Sequence, residues 1–290
     1  MKYCIKKYPM GSLPRQKSPG RYMDGTLHKN LEILARNIIR DMTFLMFIFS
    51  STLEVGTGKS VFVQQVSEAL TELVNKYHKR KIDFTMNNIV FRPKDLIDRS
   101  FKVPKLSVVV LDEWEDTHYW AELGMSLRQF FRKCRQLNLF IICIIPNFFQ
   151  LPIGYAISRS VFAIDVKFAG EFKRGFFDFY NFKRKKGLYL KGKKNYDYDV
   201  VYPNFSGRFV DGYVVGEKEY NKAKYDDMIR VDEERKKKPI TEKEIIKKTF
   251  TKLRTNMPQI TLKKWAIGFG CSERTITRWA GKERVEVDMG

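Results

Sequence analysis

The segment Leu53-Glu54-Val55-Gly56-Thr57-Gly58-Lys59-Ser60 brings two glycines, a lysine and a hydroxyl together in an order that suits phosphate binding. Glycines at 56 and 58 let the main chain turn its N–H groups toward an anion, and a helix starting near Val61 adds the positive end of its dipole. Lys59 is placed to reach the β- and γ-phosphates of a nucleoside triphosphate, and the Ser60 hydroxyl to bind Mg²⁺. Against the full phosphate-loop pattern only the first glycine is missing, with Leu53 in its place. The expected nucleotide contacts are therefore Gly56, Thr57, Gly58, Lys59, Ser60 and Val61.

A second acidic element follows. Val108-Val109-Val110-Leu111-Asp112-Glu113 is an apolar strand that ends in two acids, which puts carboxylates at the C-terminal edge of a sheet. Asp112 would hold Mg²⁺ through its water shell, and Glu113 would orient and deprotonate the attacking water. The competing interpretation is a surface acidic turn that also takes in Glu115 and Asp116. Residues 139–145 form another apolar run, ending at Pro146-Asn147. Asn147 is either a contact to the γ-phosphate or lytic water, or an ordinary turn asparagine.

These groups need a frame. Leu27, Leu31, Leu34, Ile38 and Ile39 recur at helical spacing from Thr26, which is available as N-cap. The pattern then predicts a buried strand over 43–50, a loop over 51–60 and a helix over 61–77. A short strand over 88–91, a helix from Pro93, a strand over 106–111, a helix over 123–136 and a strand over 139–145 follow. Such alternation implies a mostly parallel sheet.

Residues 1–25 read as a flexible basic arm, and 26–170 as the α/β core. Residues 171–216 read as a basic, aromatic β-hairpin extension with strands over 172–180, 188–190 and 205–215. Its cations, from Arg174 to Lys194, alternate with Phe176, Phe177, Phe179 and Tyr180, a pattern that suits single-stranded nucleic acid and equally a half-buried hairpin. Residues 217–239 are a charged helix or linker. Residues 240–290 carry helices over 245–253 and 262–269, a turn at Gly270, and a third helix capped by Ser272 that runs to about Ala280. Leu262, Trp265, Ala266, Ile276 and Trp279 would form the core of this small all-α unit. Arg274, Thr277 and Arg278 would then lie exposed, as on a DNA-recognition helix, with a partner-docking bundle as the alternative.

The 54 Lys and Arg against 33 Asp and Glu give a formal charge of +21, which favours a polyanionic partner: nucleic acid first, an acidic membrane surface second. Four scattered cysteines and three histidines offer neither a zinc site nor a disulfide framework. The apolar run over 44–49 is too short to cross a bilayer and no signal peptide opens the chain, so the expectation is a cytoplasmic protein without a transmembrane segment.

The order of phosphate loop, Asn88-Ile89-Val90-Phe91 with its Pro-containing helix, Asp112-Glu113, the stretch 132–138 and the Asn147 strand resembles the HerA/FtsK-like translocase superfamily. Within it, the chain is similar to zonular occludens toxin-like ATPases of viruses and plasmids. The resemblance covers residues 26–170. It implies a P-loop NTPase fold of the additional-strand, catalytic-glutamate type, ATP and Mg²⁺, a homo-oligomer built as a hexameric ring, and duplex or single-stranded DNA as the moved substrate. Leu53 departs from that pattern, as does Asn147, where such proteins commonly carry glutamine. Ring ATPases also place an arginine against the γ-phosphate of the neighbouring subunit; Arg132, Arg135 and Arg159 are the candidates. The function expected is an ATP-driven DNA motor. The alternatives are a nucleotide-controlled DNA-binding regulator with little turnover and, last, a membrane-associated viral assembly factor.

Overall fold

The computed structural model describes residues 4–6, 22–38, 42–52, 56–112, 124–169, 173–237 and 242–287. The chain divides into two compact units, Met1–Asp227 and Met228–Gly290.

The first unit is α/β. Strands β1 (Cys4–Lys6) and β2 (Tyr22–Asp24) pair in parallel as a small separate sheet. Residues 4–6 and 22–24 are thus structured rather than part of a loose arm, because Tyr22 and Met23 are buried and Met23 joins the main core. Helix α1 (Gly25–Asn37) begins one residue before Thr26, and its cap is Asp24, which accepts from the N–H groups of Thr26 and Leu27 at 2.9 Å each. Then come β3 (Phe44–Phe49), α2 (Lys59–His78), β4 (Ile89–Val90), α3 (Pro93–Lys102), β5 (Val108–Leu111), α4 (Gly124–Lys133), β6 (Phe140–Ile144) and β7 (Ser160–Ala169).

The main sheet has seven strands in the order β4-β5-β6-β3-β7-β8-β9, where β8 is Lys173–Tyr180 and β9 is Phe205–Arg208. From β4 through β7 the pairing is parallel, and β8 and β9 add antiparallel strands at one edge. The apolar runs are continuous because both faces are covered. On β3, Phe44, Met46 and Ile48 share one core with α1 and α2. Leu45, Phe47 and Phe49 face a second core that includes Leu96 of α3 and Phe130 and Phe131 of α4.

Residues 171–216 do not form a hairpin extension of their own. Strands β8 and β9 complete the main sheet, and between them lies helix α5 (Phe182–Gly192), where a strand was expected over 188–190. Its inward stripe, Lys185, Leu188, Tyr189 and Gly192, has helical spacing. The fully buried Lys185 explains why a pattern of apolar residues misses it. Its ammonium donates to Ala156 O (2.7 Å), Ile157 O (3.0 Å), Ser160 O (2.8 Å) and Ser160 Oγ (2.7 Å), capping the turn over Gly154–Arg159. Burial pushes its pKa down to about 8. Helix α6 (Glu217–Lys237) follows, and the boundary between the two units falls within it.

The second unit contains α7 (Glu242–Asn256), α8 (Leu262–Gly268) and α9 (Glu273–Val287). Phe250, Trp265, Ala266, Ile276 and Ala280 form its core, with Leu262 and Trp279 half-buried against it. Ser272 Oγ accepts from Thr275 N at 3.3 Å at the start of α9, as the sequence suggests, but the helix extends beyond Ala280. Gly270 supplies the turn with φ +61°. No helix among the described residues is long and apolar enough to cross a membrane.

Candidate functional site

Because β3, β5 and β6 are parallel, the segments that follow them emerge at one edge of the sheet: the glycine loop after β3, Asp112 after β5 and Pro146 after β6. Strand β6 stands between the other two. The loop is anchored from the neighbouring strand, where the buried Asp165 accepts from Ser51 N at 2.8 Å. Burial pushes the Asp165 carboxyl up to about 6, although the bond from Ser51 opposes the shift.

Gly56 and Gly58 have φ of +87° and +94°, a conformation that side chains disfavour. Gly58 is the N-cap of α2, which begins at Lys59 and so includes Lys59 and Ser60 in its first turn. The N-terminal N–H groups of a helix lack partners within it and attract an anion. Thr57 is buried, and its hydroxyl finds no hydrogen-bond partner among the described residues.

A cavity of about 580 Å³ opens above this loop. Gly56, Thr57, Gly58, Lys59, Ser60 and Val61, all six of the expected nucleotide contacts, line its floor. The opposite wall comes from much later in the chain: Arg174 and Gly175 of β8, Arg208 of β9, then Phe209, Val210, Asp211 and Tyr213, and Glu217, Tyr220, Asn221 and Lys224 of α6. Its four cations, Lys59, Arg174, Arg208 and Lys224, outnumber Asp211 and Glu217, which gives the cavity lining an excess of positive charge. Arg174 lies against the loop so closely that a Cβ added to Gly56 would meet its Nη2 at 3.2 Å. A Cβ on Gly58 would meet the Phe209 ring at 3.2 Å. Arg208 stacks over Phe176, 4.6 Å from the ring centroid.

Asp112 is 1% exposed and is absent from the cavity wall. Between it and the cavity stands Tyr220, whose hydroxyl donates to Asp112 Oδ2. Burial and the carboxylates of Glu217 and Asp112 also push the Tyr213 phenol up. Glu113 and Leu53 lie outside the described residues, as do Glu115 and Asp116.

Asn147 is buried beside the site but does not line it. Its Oδ1 accepts from Phe149 N (2.8 Å) and Tyr198 Oη (3.0 Å), which makes it the cap of the turn over Phe148–Gln150. The turn alternative therefore describes its side-chain oxygen. Arg132 and Arg135 precede β6, and Arg159 precedes β7, so all three lie toward the sheet edge opposite the loop, outside the cavity wall. Arg132 and Arg135 are exposed; Arg159 contacts Cys134 Sγ at 3.9 Å. Arg174, Arg208, Phe209 and Tyr220 are the site residues that sequence reasoning missed or assigned elsewhere. In the second unit Arg274, Thr277 and Arg278 are exposed along α9, with the Thr277 hydroxyl donating to Glu273 O at 2.8 Å.

The donors fit a nucleotide with a hard divalent cation. The Lys59 ammonium, the Ser60 hydroxyl and the N-terminus of α2 are groups that would face phosphate oxygens, and the Asp112 carboxylate lies at the end of β5, one strand removed from β3. Among the described residues no cluster of three or more His, Cys, Asp or Glu is arranged to hold a metal ion. No protein-family model matches the chain, and the comparison with curated proteins yields no match.

Proposed function

We propose that the protein binds ATP with Mg²⁺ in this cavity and hydrolyses it to move DNA. The observation that carries the proposal is the shared sheet edge: a glycine loop with Lys59 and Ser60 after β3, Asp112 after β5, and one strand inserted between them. That order is the one expected of an additional-strand P-loop NTPase.

Ser60 and Asp112 are the residues that would hold Mg²⁺, which when bound neutralises phosphate charge. Lys59 and the N–H groups of the loop orient the β- and γ-phosphates. Arg174 and Arg208 put positive charge on the other side of the same cavity, so developing charge is met within one chain. Arg132, Arg135 and Arg159 then contribute only if a second copy presents them, as in a hexameric ring. Glu113, the next residue after Asp112, is assigned as general base.

The +21 charge supports DNA as the partner, and so does α5, where Lys183, Arg184, Lys186 and Lys191 are all exposed. Arg274, Thr277 and Arg278 on α9 give the second unit an exposed polar face suited to a DNA groove.

The deciding experiment is ATP hydrolysis with and without duplex or single-stranded DNA, for the wild type, Lys59→Ala and Glu113→Gln. DNA-stimulated turnover abolished in both variants is the expected result; absent turnover with DNA binding retained refutes the motor. One observation favours a second reading, a nucleotide-controlled DNA-binding regulator: the Asp112 carboxylate is engaged by Tyr220. Nucleotide binding without turnover above that of Glu113→Gln would select it.

A further inference from the structure

After β9 the chain crosses the cavity and enters α6, fastened along the way to the helix that carries Lys59. Gln65 Nε2 donates to Val210 O (2.8 Å) and Gly212 O (3.0 Å), while Gln64 Oε1 accepts from Val214 N (3.0 Å) and Val215 N (3.3 Å). At the far end of this strap Tyr220, 2% exposed, packs its ring against Phe91 and Tyr213 and gives its hydroxyl to Asp112. Two turns further along α6, Asp227 pairs with Arg92 at 3.3 Å, at the start of α3. The strap is therefore held at the helix of the glycine loop, at the metal-binding carboxylate and at α3.

We propose that Tyr220 is a latch on the metal-binding carboxylate, and that loading of the Mg²⁺–nucleotide complex displaces its phenol and loosens the first turns of α6. The proposal rests on the nucleotide-binding reading above. Three observations carry it. The phenol engages Oδ2 of Asp112, the carboxylate that follows β5 at this sheet edge. Tyr220 faces the cavity whereas Asp112 does not, so a cation bound beside the phosphates reaches Asp112 only after Tyr220 moves. Packing alone would be served by phenylalanine; the hydroxyl is aimed at the carboxylate.

A hydrogen bond to a buried carboxylate is among the stronger ones in a protein, so the latch opposes metal loading measurably. The helix it holds is the one in which the two units of the chain meet in sequence. Release of Tyr220 thus changes the first turns of the segment that leads into the second unit.

The test uses the full chain and ADP as the probe, titrated in Mg²⁺ and in EDTA, for the wild type and Tyr220→Phe. The gain in ADP affinity on going from EDTA to Mg²⁺ should be about ten-fold larger in the variant than in the wild type. Hydrogen exchange over residues 217–227 of the wild type should accelerate with ADP and Mg²⁺ but not with ADP in EDTA, and should already be fast in the variant. The wild-type exchange measurement decides the matter even if the variant does not fold. Equal Mg²⁺ dependence in both proteins, or α6 exchange unmoved by the metal complex, overturns the latch while leaving the nucleotide site intact. Absence of ADP binding under every condition overturns the site itself, and the latch with it.

Discussion

Replacing Asp165 by asparagine should stabilise the protein at neutral and alkaline pH. Asp165 is buried on β7 with its Oδ1 on Ser51 N, and across the sheet it pairs with Asp178, which is itself held by Lys167 and Ser206. Burial raises its pKa from the ordinary 3.8 to about 6; Lys167 counteracts this and Asp178 adds to it. Between those values the folded protein keeps a proton that the unfolded chain has lost. Stability therefore falls as pH rises through this window, and the penalty is complete above about 6. The full difference corresponds to about 3 kcal/mol, an upper bound because unfolded and relaxed states soften it. Asparagine retains the oxygen that accepts from Ser51, carries no charge, and offers its amide to Asp178. Urea unfolding followed by circular dichroism should show Asp165→Asn gaining about 2–3 kcal/mol at roughly pH 8 and almost nothing at roughly pH 4. A variant no more stable than wild type at the higher pH, or one whose gain is the same at both, refutes the argument.

Lys185→Met should cost about 3 kcal/mol or more, because it leaves the carbonyls of Ala156, Ile157 and Ser160 without their shared donor inside the core; thermal unfolding measures it. Gly58→Ala should weaken ATP binding at least about ten-fold in a calorimetric titration, since φ of +94° costs a side chain about 1–2 kcal/mol and the new methyl meets Phe209. Charge reversal of Lys183, Arg184 and Lys186 together should weaken duplex DNA binding and lower the slope of log affinity against log salt by roughly 2–3, with ADP affinity unchanged.

The glycine loop, the strand before Asp112 and the parallel core were legible in the sequence because each is a local pattern. A continuous apolar run such as Phe44–Phe49 has one structural solution between two helical layers, and Gly-x-Gly-Lys-Ser at its end needs no distant partner to be recognised. Capping was legible in kind but not in position: Asp24, two residues before Thr26, has the longer reach to the first N–H groups of α1. The basic segment failed for a different reason. Phe176, Phe177, Phe179 and Tyr180 do form a strand, but the same texture carried a strand assignment to 188–190, inside a helix whose stripe is hidden because one of its inward members is a lysine.

The other wall of the cavity could not have been read this way, because nothing local marks it. Arg174 and Arg208 sit on the two antiparallel strands at one end of the sheet, and their place on the cavity wall depends on β7, β8 and β9 continuing the sheet past β3. The available signal was steric. Gly175, at φ +95°, has Phe209 O only 2.6 Å from where its Cβ would be, and Gly207 has the Phe177 ring in that place. Glycines inside strands mark close approaches of backbone or ring, and both flank the arginines that line the cavity. Tyr220 had no such mark, since a tyrosine among charged residues on a helix reads as solvated until α6 is laid against β5. Its meaning comes entirely from Asp112, and so the acid legible from the sequence acquires its control from a residue that is not.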